Sequence, residues 1–455
     1  MIFADLFFVF VFLPCFFAFY LIAGLLEKKS GTTILKNGIL LLFSLIFYAW
    51  GEPVYILLLI FGVLLTWAAG RFKFGVAGII YHILVMVFFK YGNLIQSSLL
   101  SAGLSFTPID LHLPIGISFY SFQCISYLAD VRSGRSEARK NPLGVLLYIS
   151  MFPQLIAGPI VRYNTVAGEL SSRKVSSDDI AEGLRRFAFG LAKKVLLADQ
   201  LALIVSDTMG KGGDVGIATA WLGLIAFSMQ IYFDFSGYSD MAIGMGRMMG
   251  FHFNENFDDP YMCSSVPDFW RRWHMSLGQF FRDYVYIPMG GNRKGAFRFI
   301  FNVLIVWTLT GAWHGGSLNY ILWGFYFALL LLMDRLIFGR KDKEHNIAVR
   351  FIRRILSLFA VIFGWCIFYF EDLKTGLVYV RSLFMPAGGE DVVFMSLLKQ
   401  NLFLLIAALI LCLPLKKLFK KRYAVPEAVF TAVIFVLSVI MLIGESNHPF
   451  LYTRF

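Results

Sequence analysis

The chain has 455 residues, 58% hydrophobic and 15% charged, with mean hydropathy +0.69 and formal net charge +12. Soluble domains carry roughly 45–50% apolar and 25% charged residues, so a water-soluble globular fold is excluded. Five scattered cysteines (Cys15, Cys124, Cys263, Cys366, Cys412) argue against a disulfide framework or metal site, and the positive charge comes with no nucleic-acid motif.

Long apolar runs without two-residue alternation predict an all-α polytopic membrane protein, because helices satisfy their own backbone groups in hydrocarbon. The first run, 5–26, lacks a basic leader and a small-residue cleavage site, so it is predicted to be a retained membrane helix. Runs at 35–50, 53–69 and 74–89 follow. The segments 114–129, 144–158 and 237–251 are short and bounded by Gly or Pro, the pattern of re-entrant helices packed inside protein. Further apolar segments lie at 186–206, 216–234, 299–312, 318–338, 351–370, 400–415 and 426–443. Polar stretches at 164–185 and 371–399 read as surface loops with amphipathic pieces. No repeat or long linker appears, so the organisation is a single integral membrane domain over 1–455. The 49 phenylalanines read as lipid-facing and interhelical packing.

Basic clusters orient the chain. Lys28 and Lys29, Arg71 and Lys73, Arg340 to Arg354, and Lys416 to Arg422 are predicted to face the cytoplasm. That choice puts both termini outside and the segment Arg271 to Lys294 on the cytoplasmic side. His314 then lies toward the outer or middle part of the membrane.

Two histidines carry the chemistry. His314, in GAWHGGSLNYILWG, sits in apolar surroundings where an imidazole is costly unless a partner or water-filled cavity compensates it. It is either a helix-packing histidine or a general base, since imidazole titrates near neutrality. Gly311, Gly315 and Gly316 would allow close approach of backbone or a slender substrate. His274 lies in DFWRRWHMSLGQFFRDY, where helical spacing would pair Trp270 with His274 and Asp268 with Arg272. It reads equally as part of an interfacial helix anchored by Trp and Arg. Arg271, Arg272 and Arg282 suit either positive-inside anchoring or the phosphates of a donor. Gln123, Gln154, Asp234 and Asp240 would be expensive against lipid, so they line an internal cavity or a polar helix seam. No carboxylate or histidine stands three or four residues from His314, so no metal is expected.

The order LPIGISFYSFQCISYLADV, MFPQLIAGPIVRY, YFDFSGYSDMAIGMGRMMGF, DFWRRWHMSLGQFFRDYVYIPMGGNR and GAWHGG resembles the membrane-bound O-acyltransferase family, in its bacterial polysaccharide O-acetyltransferase branch. The resemblance spans nearly the whole chain, with a motif core at about 110–338 and a tail at 444–455. It implies a ring of about 11–14 transmembrane and re-entrant helices around a thin central tunnel. It also implies His314 as the catalytic histidine, His274 as its second histidine, and Trp313 at the narrow point. The implied reaction moves an acetyl group from cytoplasmic acetyl-CoA, a substrate and not a bound cofactor, to an extracytoplasmic cell-envelope polysaccharide. An SGNH-type extracytoplasmic acetyltransferase is the implied partner, and the cytoplasmic (inner) membrane is the implied location. Many alginate-type members carry a histidine shortly after the WG, where this chain reads WGFYFALLL.

The terminal FLYTRF fits the F-x-Y-x-x-F found on small partners of the D-alanyl-transfer branch and on some family members. There the tyrosine is proposed to relay the acyl group, which would give Tyr452 that role; the plain alternative is a frayed C-terminus. D-alanyl transfer from a carrier protein to teichoic acid is the nearest alternative activity. A transporter using His314, Asp234 and Asp240 would be favoured by inverted repeats, which the sequence lacks; a scaffold would bind no donor.

Overall fold

The computed structural model describes residues 2–29, 31–212, 215–339, 346–385, 392–414, 424–444 and 451, and every regular element among them is helical. The helices gather into two compact units, Met1–Ala192 with Gly237–Glu255 and Phe430–Phe455, and Lys193–Ser236 with Asn256–Val429. In chain order the first unit holds α1 (Phe8–Glu27), α2 (Ile34–Gly51), α3 (Tyr55–Arg71), α4 (Gly75–Ser101) and α5 (Ile117–Arg132). It continues through α6 (Pro142–Ser150), α7 (Phe152–Leu155), α8 (Tyr163–Ser171) and α9 (Ser177–Ala192). Then come α10 (Asp199–Thr208) and α11 (Ile217–Met248), the latter divided between the two units at Gly237. The second unit adds α12 (Val266–Arg272), α13 (Met275–Phe281), α14 (Gly295–His314), α15 (Leu318–Phe338), α16 (Ile347–Tyr369), α17 (Leu373–Ser382) and α18 (Val392–Leu411). The last helix is α19 (Ala424–Gly444).

Nine helices among the described residues, α1, α2, α4, α11, α14, α15, α16, α18 and α19, are long and apolar enough to cross a membrane. About 20 residues at 1.5 Å each span the ~30 Å of hydrocarbon. The chain is therefore a multi-pass helical membrane protein.

Several boundaries differ from those expected, each for a physical reason. The segments 216–234 and 237–251, expected as two with Gly237 at the boundary, form one continuous helix, α11. Gly237 and Gly244 serve close packing instead. A Cβ on Gly190 would lie 2.6 Å from the Gly237 carbonyl oxygen, and one on Gly183 would lie 2.6 Å from that of Gly244. Two glycines a heptad apart on each helix thus let α9 meet this end of α11 backbone to backbone, as small residues do in membrane proteins. The segment 186–206 is divided by a π-helical turn over Lys193–Ala198. Helix α4 runs on to Ser101, past the apolar end expected at 89, because its polar last turns still make helical bonds. The polar stretch 164–185 holds α8 and the start of α9, and 371–399 holds α17.

The short α5 is enclosed: 13 of its 16 residues are buried, among them Ser118, Ser121, Gln123, Ser126 and Asp130. In the second unit α14 and α15 pack so closely that a Cβ on Gly311 would overlap the Tyr320 carbonyl, and one on Gly324 that of Trp307. This hairpin carries Trp313 and His314 on its first arm and Trp323, whose ring meets that of His314, on its second.

Candidate active site

The turn that presents His274 is built from caps. Ser265 accepts a hydrogen bond from the Asp268 amide at 3.2 Å, and Asp268 accepts from the Ser264 amide at 3.0 Å, which starts α12. The helix stops after Arg272 because Trp273 is extended and His274 adopts φ 44°, ψ 51°. The expected helical pairing of Trp270 with His274 therefore does not form, whereas Arg272 does bond Asp268, at 3.1 Å. A bulky residue in the left-handed region is strained. The strain is held in place by Asn256, whose carbonyl accepts from the Met275 amide at 3.0 Å while its side chain accepts from the Ser276 amide and hydroxyl at 3.2 and 2.9 Å. The His274 carbonyl then takes the first amides of α13, Leu277 at 3.0 Å and Gly278 at 3.2 Å.

His274 is 2% exposed, with its ring 4.7 Å from Phe235 and 5.9 Å from Trp313. Burial pushes its imidazole down to about 3, so it is neutral at physiological pH and is not a standing cation. His314, the last residue of α14, is 5% exposed. Its ring centroid lies 4.8 Å from Trp313, 5.1 Å from Trp323 and 5.2 Å from Phe368, the last two nearly perpendicular at 86°. Trp313 is thus in contact with both histidines. Edge-to-face contacts of this kind contribute about 0.5–1.5 kcal/mol each and fix ring orientation.

Around the histidines stands an aromatic wall of which the motifs single out only Trp270 and Trp313. Trp270 lies 4.7 Å from Trp307 and 5.5 Å from Trp323, and Trp273 lies 4.8 Å from Trp365. Six of the nine tryptophans (Trp270, Trp273, Trp307, Trp313, Trp323, Trp365) belong to this region. Their crowding between residues 270 and 365 was the available signal.

A cavity of about 390 Å³ in the same unit is lined by His274, Trp270, Trp307, Arg271 and Arg282, among others, but by neither His314 nor Trp313. The Arg271 and Arg282 side chains are 71% and 60% exposed at its edge, with Asp268 3.9 Å from Arg271 and Asp283 2.7 Å from Arg282. Arg272 does not line it and is held by Asp268 and, at 3.5 Å, Asp258. Asp234 also stands outside this lining, paired at 2.7 Å with buried Lys194, which binds Asp199 at the same distance.

The remaining expected residues lie in the first unit. Asp240 pairs with Arg186 at 2.8 Å, and Arg186 also binds Glu255. Gln154 donates its amide to the Tyr148 carbonyl. Gln123 is fully buried, and neither amide atom has a hydrogen-bond partner among the described residues. Tyr452 falls outside the described residues.

The sequence pattern of the membrane-bound O-acyltransferase (MBOAT) family matches residues 6–380. A probable alginate O-acetylase of Pseudomonas syringae pv. tomato is 39% identical over 391 residues, covering 82% of this chain and 73% of its own. A peptidoglycan O-acetyltransferase of Helicobacter pylori is 30% identical over 415 residues, covering 83% and 78%. A teichoic acid D-alanyltransferase of Bacillus subtilis is 27% identical over 280 residues, covering 56% and 68%.

Proposed function

The chain belongs to the membrane-bound O-acyltransferase family and is an O-acyltransferase; from that premise we propose that it carries acetyl groups from cytoplasmic acetyl-CoA to a hydroxyl outside the membrane, for O-acetylation of a cell-envelope polysaccharide. The observation that carries the reading is the pairing of two buried histidines through Trp313, one of them lining a cavity edged by arginines. Polysaccharide acceptors are supported by the names of the two relatives similar over most of the chain. With an O-acyltransferase the transporter and scaffold alternatives are set aside.

In the proposed reaction His314 takes the proton of the acceptor hydroxyl as its oxygen attacks the thioester carbonyl. The carbon–sulfur bond breaks, the coenzyme leaves as thiolate, and the proton passes to that sulfur. Trp323, a buried indole N–H donor in ring contact with His314, is a candidate to stabilise the carbonyl oxygen as it gains charge. Neutral His274 orients the donor. Arg271 and Arg282 bind the donor's phosphates, exchanging their carboxylate contacts for charge-assisted ones. Tyr452 is the proposed first acceptor, and an SGNH-type extracytoplasmic transferase completes delivery. The basic clusters support an orientation with both termini outside, in keeping with a location in the cytoplasmic membrane.

Membranes containing the protein, given labelled acetyl-CoA or a D-alanyl-charged carrier protein, separate the two donor readings. We expect label to move from acetyl-CoA alone, and Tyr452→Phe to abolish transfer to polysaccharide while thioester hydrolysis persists. Transfer from the carrier protein alone would replace the acetyl reading, and unchanged acetylation by the Tyr452→Phe variant would remove the relay.

The phosphate contacts have their own expected outcome. The variant Arg271→Gln/Arg282→Gln should raise the KM for acetyl-CoA roughly tenfold or more, with kcat nearly unchanged, since a hydrogen bond to a charged group is worth about 1.5–3 kcal/mol. Steady-state kinetics at low and high salt check this, the difference narrowing as salt screens the exposed charges.

A further inference from the structure

A second cavity, of about 620 Å³, opens in the first unit at the start of α2, the start of α6 and the end of α8. Its volume falls within the roughly 300–1,000 Å³ of small-molecule sites. One wall is apolar, formed by Ile34, Leu41, Leu143, Leu147 and Leu170. The other carries Arg139 and Lys140, with Glu137 as its single carboxylate.

This basic corner is preorganised. The Trp67 indole donates to the carbonyls of Arg139 at 3.1 Å and Lys140 at 3.3 Å, and the Arg139 amide donates to the Tyr127 hydroxyl at 2.9 Å. The Arg139 guanidinium lies 5.8 Å from the Tyr163 ring centroid and donates to the Ser171 hydroxyl at 3.2 Å. Its buried Nε has no hydrogen-bond partner among the described residues, and within them neither Arg139 nor Lys140 is ion-paired. Behind them Arg173 donates to the side chain of Asn37, a lining residue, at 2.7 Å.

We propose that this cavity seats one anionic phospholipid of the surrounding bilayer, its phosphate on Arg139 and Lys140 and an acyl chain along the leucines. A soluble anion would have no use for the apolar wall, which includes Ile34 and Leu143 at 73% and 55% exposure. A zwitterionic lipid would gain less from two cations set against one carboxylate. The cavity also lies beside the ends of α1 and α3 that carry Lys28, Lys29, Arg71 and Lys73, the side assigned to the anionic cytoplasmic leaflet. A tryptophan such as Trp67 at that level is the usual interfacial anchor.

Native mass spectrometry of the full-length protein, taken from mixed phosphatidylglycerol and phosphatidylcholine vesicles, tests the proposal. We expect phosphatidylglycerol to be retained roughly thirtyfold over phosphatidylcholine, as about 1 kcal/mol for each of the two cations near the bilayer implies. Arg139→Gln/Lys140→Gln should erase that preference. Gly144→Leu, whose side chain would grow toward the Arg139 guanidinium 3.6 Å from the glycine's Cβ position, should block retention without removing charge. Melting midpoints in phosphatidylcholine show that each variant is folded. Equal retention of the two lipids by the unaltered protein, or a preference that survives both variants, overturns the proposal. So does displacement of the lipid by millimolar inorganic phosphate, which would mark a soluble-anion site.

Discussion

Replacing His314 with glutamine is expected to lower acetyl transfer by about 10²–10⁴-fold, the usual contribution of a positioned general base, while leaving folded protein in the membrane. Glutamine keeps a polar side chain of similar length but cannot cycle a proton near neutrality. The ring it replaces is gripped by Trp313, Trp323 and Phe368 at centroid distances of 4.8, 5.1 and 5.2 Å, so its orientation is set before any substrate arrives. Had the imidazole only a packing role, its loss would act on stability by about 1–3 kcal/mol and leave the rate per folded molecule alone. Measuring transfer from labelled acetyl-CoA alongside the melting midpoint separates the two. A rate within threefold of the unaltered protein would end the assignment of His314 as base. His274→Asn is the informative companion, because asparagine tolerates the left-handed backbone that His274 adopts at φ 44°. It should weaken donor binding more than it slows turnover.

The two histidines were legible in the sequence because polar residues in apolar or densely aromatic surroundings are costly and therefore conspicuous. Their link through Trp313 was not, since it depends on a left-handed turn at His274 that no spacing rule anticipates. Periodicity located the long spans well, α14 and α15 among them, where ~20 apolar residues leave one reading. It failed at Gly237, because the same glycine that ends one helix permits another to be approached closely, and only the partner backbone decides. The polar residues divided in the same way. That Asp234 and Asp240 would be costly in lipid was readable; that each is matched by a base, Lys194 and Arg186 respectively, required the fold. Nothing in the sequence distinguishes Lys194 from its neighbour Lys193 in the apolar segment 186–206.

That lysine supports a second large effect. Lys194 is 2% exposed, lies on the π-helical turn between α9 and α10, and binds Asp234 and Asp199, each at 2.7 Å. The cluster brings the turn to α11 and to the first residue of α10. Lys194→Met keeps much of the aliphatic bulk but removes a cation that two carboxylates share, of which Asp234 is 2% exposed. Removing one partner of a buried ion pair costs about 3–5 kcal/mol, because the opposite charge stays behind in a poor solvent for it. We therefore expect Lys194→Met to lower the melting midpoint in detergent by several degrees or to abolish accumulation in the membrane. The same principle predicts recovery: in Lys194→Met/Asp199→Asn/Asp234→Asn no net charge remains, and exchanging a buried ion cluster for neutral groups is often neutral or stabilising. Recovery of the midpoint in the triple variant would show that desolvated charge, not lost packing, is what Lys194 offsets. A triple variant as unstable as Lys194→Met would instead place the stabilisation in the geometry of the turn.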